Sequence, residues 1–219
     1  MITEEFLKAT KEYYYARDKI YMQLVNLENK EFFSDKPYRR WSNLAIYYEI
    51  VEVTRLAEDT IISFDNNREV KNEDLECWGI SEDELYKQAL LNMDSMKQWN
   101  PIVRFSLQEE PNVFRTVIPE KISSVSYFIR DMHFLSGAAC ICNPEVLDKI
   151  SRLYGEDFYI LPISYDEVVV MPEAAVSCRE AVDLLSMKNS MSVTLTKALS
   201  DNVYLYKGET QTVEIAEAD

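Results

Sequence analysis

The sequence predicts an α+β fold: a mixed or largely antiparallel sheet with helices packed on it, plus an N-terminal amphipathic helix. Three observations predict it. Short aromatic and β-branched segments alternate with turn residues, as half-buried strands do. Two helix starts are written in the sequence, at Ser81-Glu82-Asp83-Glu84 and at Asn143-Pro144-Glu145. Strands also arrive in hairpins as well as around helices, which fits α+β better than a doubly wound parallel sheet.

Residues 3–18 place Phe6, Ala9, Tyr13 and Ala16 at helical spacing between charged residues, so an N-terminal helix of about four turns is expected over 1–18. Ile20 to Leu27 reads as a strand and Asn43 to Val53 as a second, joined by a polar connection, Glu28 to Arg40, that contains Pro37. Asp59 to Asp65 reads as a third, closed by the turn-forming Asp65, Asn66 and Asn67. A helix follows the Ser81 capping box, with Leu85, Ala89, Met93 and Met96 as its apolar stripe.

Pro101, Pro111 and Pro119 interrupt residues 99–124, which read as an irregular insertion with at most one irregular strand. Val125 to Ile129 and Ala138 to Cys142 read as paired strands. A helix is expected from Asn143 to Tyr154, stopped by Gly155. Phe158 to Ile163 and Glu167 to Met171 then form strands about a turn, followed by a helix through Met187. Val203 to Tyr206 and Thr210 to Ile215 make a closing hairpin, with 216–219 as a flexible tail. The whole, 1–219, reads as a single α+β domain.

The chain has 219 residues, 47% of them apolar, enough at this size to bury roughly 70% of the unfolded surface without disulfides or a structural metal. With only 4 Gly and 7 Pro it is neither collagenous nor of low complexity. Glu4, Glu5 and Lys8 sit where a secretory signal would be apolar, and apolar runs fall far short of the roughly 18 residues of a membrane span. A soluble cytoplasmic protein with four reduced cysteines is therefore expected. The net charge is −15. Residues 1–40 carry 8 basic and 7 acidic side chains, residues 41–100 carry 5 and 13, and the remainder 10 and 18. The only dense basic patch is Lys36, Arg39 and Arg40, so direct nucleic-acid binding is disfavoured.

Several ordered motifs carry a resemblance: Cys77-Trp78-Gly79-Ile80-Ser81-Glu82-Asp83-Glu84-Leu85-Tyr86, Gly137-Ala138-Ala139, Pro144 with Val146-Leu147, Asp157-Phe158-Tyr159-Ile160-Leu161-Pro162, and Leu199-Ser200-Asp201-Asn202-Val203-Tyr204. In these the chain resembles an uncharacterised bacterial family, a domain of unknown function. The likeness runs in order from about Ile20 through Tyr206 and includes Pro37-Tyr38-Arg39-Arg40 and Leu44-Ala45-Ile46. A second unassigned family looks similar in plan, with a Trp-Gly-led helix, a strand–helix–strand centre and a closing Leu-Ser-Asp segment. The resemblance implies an α+β architecture and no reaction. Two departures stand out. The family pattern follows Ile-Leu-Pro with Ser-Ser-Ile-His-Glu, whereas Pro162 here precedes Ile163, Ser164, Tyr165, Asp166 and Glu167; the polar Thr-Asn-Lys before Gly-Ala-Ala is here Arg130, Asp131 and Met132.

His133 is the only histidine, and with Asp131, Cys140 and Cys142 near it in sequence it raises a thiol–imidazole nucleophile. If Ala138 to Cys142 is a strand, however, both cysteines share one face and are simplest as small core residues. Structural zinc prefers Cys-x-x-Cys pairs, and the one close pair is Cys-x-Cys, with Cys77 and Cys178 far away. The acidic runs Glu73-Asp74-Glu76 and Glu82-Asp83-Glu84 lie before and within a helix's first turn, where carboxylates suit the helix dipole. Four isolated glycines form no phosphate cradle. Tyr13-Tyr14-Tyr15 and Tyr47-Tyr48 must turn some rings outward, which suits a protein partner. Trp78 is expected to staple the following helix to the sheet.

No catalytic, metal-binding or cofactor-binding residue is assigned on this basis, and no cofactor. The favoured reading is a non-enzymatic intracellular protein-interaction or regulatory module with a protein partner and no membrane; its oligomeric state is left open. A small hydrolase or transferase with an unrecognised cysteine or carboxylate site comes second, and an acidic nucleic-acid-mimicking inhibitor third.

Overall fold

A computed structural model of the chain describes residues 2–28, 30–57, 60–95, 102–104, 126–130, 137–165, 167–191 and 198–217. It bears out the α+β class, with helices on antiparallel sheets. The chain divides into two compact units, Met1–Trp99 and Asn100–Asp219.

In the first unit the period-two alternation of aromatic and aliphatic residues builds a four-stranded sheet. Strand β1 (Ile20–Asn26) pairs antiparallel with one edge of the long β3 (Leu44–Ala57); β2 (Arg39–Trp41) and β4 (Thr60–Glu69) pair with β3 as well. Because β1 spans β3 from Leu44 to Ile50, β2 and β4 must occupy β3's opposite edge, one after the other. Ile20, Met22 and Leu24 face the same side as Ile46, Tyr48 and Ile50, and all six are buried. Helix α4 (Glu82–Ser95) packs along β1 and brings the buried Leu85 and Ala89. Its start has the expected capping box: Glu84 accepts from the Ser81 amide and hydroxyl, and the Ser81 hydroxyl accepts from the Glu84 amide.

The N-terminal helix is present but broken. Helix α1 (Glu4–Ala9), capped by the Thr3 hydroxyl, ends at Thr10, and α2 (Tyr13–Ala16) begins three residues later. The break has a cause that periodicity cannot show. The Arg68 guanidinium takes the Thr10 carbonyl and hydroxyl, and the Trp78 indole takes the Lys11 carbonyl, so both carbonyls are engaged by tertiary donors. Asp65, Asn66 and Asn67 lie within β4 rather than in a turn; Asn66 is held by accepting from the Thr3 amide and donating to Glu52. Helix α3 (Asn72–Trp78), which the sequence reading did not separate, ends at Gly79 in the left-handed conformation, φ 68°.

The second unit holds a six-stranded antiparallel sheet in the order β10-β9-β7-β8-β6-β5. These strands are β5 (Ile102–Arg104), β6 (Tyr127–Arg130), β7 (Phe158–Pro162), β8 (Glu167–Pro172), β9 (Tyr204–Lys207) and β10 (Thr212–Ile215). Both faces of the central β7–β8 hairpin are buried, which is why these strands read as near-continuous apolar runs. Tyr159, Leu161, Val169, Met171, Val203 and Leu205 pack with Leu184 and Leu185 of helix α6 (Cys178–Met191). On the opposite side of β7, Phe158 meets the rings of Tyr206 and of Tyr154 from helix α5 (Pro144–Tyr154). Asn143 caps α5 and Gly155 ends it, as expected.

One strand expectation is overturned: Ala138–Cys142 is a 3-10 helix, and β6 pairs with β5 and β8 instead. All five residues are buried, so the run has no polar alternation to reveal its period. Most of 99–124, and the tail residues 218–219, lie outside the described residues. Among those described, no helix is long and apolar enough to cross a membrane.

Candidate functional site

The first unit carries an open groove of about 580 Å³ where α1 meets the outer part of β4. Leu7 and Ile2 line it from the N-terminal segment, both well exposed. Asn67, Arg68 and Glu69 line it from β4, and Glu49 from β3. Strand geometry dictates this mixture, because Glu49 stands opposite Glu69 in the register while Arg68 points to the other side, towards the helices.

Beneath the groove lies its electrostatic anchor. Asp74 is fully buried and accepts from Arg68 at 2.6 and 3.0 Å, from the Lys71 amide at 2.9 Å and from Lys11 at 3.3 Å. Burial opposes ionisation of this carboxyl, but the hydrogen bonds from Arg68 and the Lys71 amide, with the charges of Arg68 and Lys11, outweigh it and lower the pKa. The groove's other cation, Lys71, pairs with Asp35 at 2.8 Å. Glu49 differs. It accepts hydrogen bonds from two neutral groups, the Tyr47 hydroxyl and the Gln23 amide, and burial raises its pKa, with the charge of Glu69 adding to the shift.

A second polar cluster joins β2, β3 and α4. Arg39 reaches both Glu82 oxygens, at 3.1 and 2.7 Å, bonds Asp83, and lies 4.2 Å from the centroid of the Tyr86 ring. The Tyr48 hydroxyl donates to Glu82, and burial together with that bond pushes its pKa far up. This arrangement holds Tyr48 protonated and Glu82 spoken for, so it fastens α4 to the sheet. The patch Lys36, Arg39 and Arg40 is likewise engaged: Lys36 pairs with Asp35 and Glu69, each at 3.3 Å, and Arg40 donates to the Ser42 carbonyl.

The sequence candidates fall out as follows. His133 and Asp131 lie outside the described residues. Cys140 and Cys142 are buried in the 3-10 helix rather than on a strand, and burial raises the Cys142 thiol pKa well above its ordinary value. Cys77 is exposed and Cys178 half-buried. Glu73 and Asp74 are within α3, not before it, and both bond Lys11. Among the described residues no group of three or more His, Cys, Asp or Glu could hold a metal ion. Tyr14 projects at 82% exposure, whereas Tyr15 donates to Glu52, which raises its pKa to about 12. Trp78 is half-buried on Tyr13, ring centroids 5.5 Å apart, and with its indole bond to the Lys11 carbonyl it fastens the broken N-terminal helix. The sequence reading missed Glu49 and Arg68; the signal available was a pair of carboxylates, Glu49 and Glu52, inside the otherwise aromatic and aliphatic run Tyr47 to Val53.

The chain belongs to DUF5688, a family of unknown function, whose model matches residues 3–208. No curated protein and no solved structure matches it.

Proposed function

We propose that this protein is a non-enzymatic binding module that acts through protein contacts, with the groove between α1 and β4 as its docking surface. One observation carries the reading: the groove is open and joins the exposed Leu7 and Ile2 to a strand edge, while its cations are tied to Asp74, Glu73 and Asp35. Exposed apolar side chains rimmed by fixed charges suit a protein partner better than a small reacting molecule. Intracellular, cytoplasmic residence belongs to the same reading and rests on the cysteine spacing of the sequence, which forms no dense framework. The engagement of Lys36, Arg39 and Arg40 by acids or carbonyls weighs against direct nucleic-acid binding. The pairing of Glu69, Glu73, Asp74 and Glu82 with cations weighs against nucleic-acid mimicry.

A hydrolase or transferase using a carboxylate is the second reading, favoured by Glu49, a partly buried acid of raised pKa opposite a second carboxylate. The two readings part in one experiment. A partner captured from the native host is purified and titrated by calorimetry against the parent and a Leu7→Asp variant, while both are assayed on ester, phosphoester and glycoside substrates. The binding reading expects saturable association weakened at least tenfold by Leu7→Asp. Turnover that Glu49→Gln abolishes in a folded protein replaces it with the enzyme reading.

A further inference from the structure

The outer edge of β4 has a hydrogen-bonding pattern that can be read from the register. Val70 donates its amide to the Tyr48 carbonyl at 2.9 Å, which makes that pair a hydrogen-bonded one. Antiparallel pairs alternate, so the Glu49–Glu69 pair is non-hydrogen-bonded, Ile50–Arg68 bonded and Val51–Asn67 non-bonded. The amides and carbonyls of Asn67 and Glu69 therefore point away from β3. Arg68 Nη1 takes the Glu69 carbonyl at 3.1 Å. That leaves the Asn67 amide and carbonyl and the Glu69 amide facing outward, on a strand that pairs with β3 alone among the described residues. Such an edge is a template for another strand.

We propose that this edge takes up an extended segment of a partner protein as an added strand, and that the segment is basic with alternating apolar residues. The proposal rests on the binding-module reading and specifies its partner. Backbone groups at Asn67 and Glu69 supply register, while side chains of the added strand alternate between the two faces of the sheet. On the helix side they meet Leu7 and Ile2, which are 42% and 47% exposed. On the other side they meet Glu49, which is bonded by neutral donors, and Glu69, which shares Lys36. A lysine or arginine there supplies the cation that Glu49 lacks in these bonds. Charge at long range has the same sign: residues 1–99 hold 13 basic and 20 acidic side chains, net −7. The edge sequence Asn66-Asn67-Arg68-Glu69 carries no apolar side chain, which disfavours indiscriminate strand pairing.

The test uses the full chain, isotope-labelled, and two end-capped seven-residue peptides, one alternating Lys and Val and one alternating Glu and Val. The Lys–Val peptide is expected to bind with a Kd below about 1 mM, shift the Asn67 and Glu69 amide resonances and slow their hydrogen exchange at least tenfold. Glu49→Gln should weaken it at least threefold. Asn67→Pro removes an outward amide that the protein's own sheet does not use and should weaken it at least tenfold; Leu7→Asp serves if the proline variant fails to fold. Equal binding of the Glu–Val peptide, shifts confined elsewhere, or no saturable binding overturns the proposal. So does concentration-dependent pairing of this edge with a second copy. A captured partner that binds the parent, Asn67→Pro and Leu7→Asp alike would overturn this edge as the site and leave the module reading standing.

Discussion

Arg68 and Asp74 form a two-point ion pair, at 2.6 and 3.0 Å, in which the aspartate side chain is wholly buried and the arginine side chain 11% exposed. The pair joins the end of β4 to the first turn of α3, and through Thr10 it also holds the turn between α1 and α2. Removing Arg68 leaves a buried carboxylate with only Lys11 and the Lys71 amide to offset it. Arg68→Ala is therefore expected to cost about 3–5 kcal/mol, against a total of about 5–15 kcal/mol for a domain. Replacing both partners, Arg68→Met with Asp74→Leu, should cost less than Arg68→Ala alone. Denaturant melts of the three proteins check this; equal losses would mean the pair's charges are not what matters.

Two carboxylates in this unit predict opposite pH dependence. Asp74 ionises more readily folded than unfolded, so its stabilising contribution is present above its ordinary value of 3.8 and is lost as the pH falls through the folded value. Glu49 ionises less readily when folded; its contribution is present below its ordinary value of 4.5 and is lost as the pH rises through the raised folded value. Glu49→Gln should thus raise the melting temperature near neutral pH and lose that advantage towards pH 4. Asp74→Asn should lower it near neutral pH, by an amount that shrinks in acid. Parallel pH profiles for the two variants would contradict the environments assigned to them.

The contrast between Ala138–Cys142 and β7 shows what was legible in the sequence. Both are uniformly apolar and buried, and period cannot separate a short 3-10 turn from a strand when no residue faces water. The β7–β8 and β9–β10 hairpins were legible because polar turn residues bracket them, and α5 because Asn143 and Gly155 mark both ends. The break in the N-terminal helix was not legible, since its cause, Arg68, lies 58 positions from Thr10. The groove was invisible for the same reason: Leu7, Glu49 and Asn67 come together only through the strand register.

The four cysteines should separate by reactivity. Cys77 is exposed at the end of α3, whereas Cys140 and Cys142 are 1% and 3% exposed, and burial disfavours the thiolate of Cys142. An aromatic disulfide reagent under native conditions is expected to modify Cys77 first, with Cys140 and Cys142 reacting only after denaturant is added. Mass spectrometry of digests assigns the sites. Native labelling of Cys140 at the rate of Cys77 would place the 3-10 helix at the surface.

Gly208, in the β9–β10 turn, gives a prediction that turns on one close approach. Its amide donates to Asp157 at 2.9 Å, and a Cβ added there would lie 2.6 Å from the Ser151 hydroxyl of α5. The obstacle is the end of a short side chain; the Ser151 Cβ would stand at 3.8 Å, an ordinary contact. Gly208→Ala should therefore force Ser151 off its rotamer at a cost of about 0.5–1.5 kcal/mol. Ser151→Ala deletes the offending atom, so the double variant should recover most of that loss, a non-additive coupling between residues 57 positions apart. A thermal or urea double-mutant cycle measures it. Additive losses would mean that the turn does not sit against α5 at Ser151, and the packing of the closing hairpin on that helix would have to be redrawn.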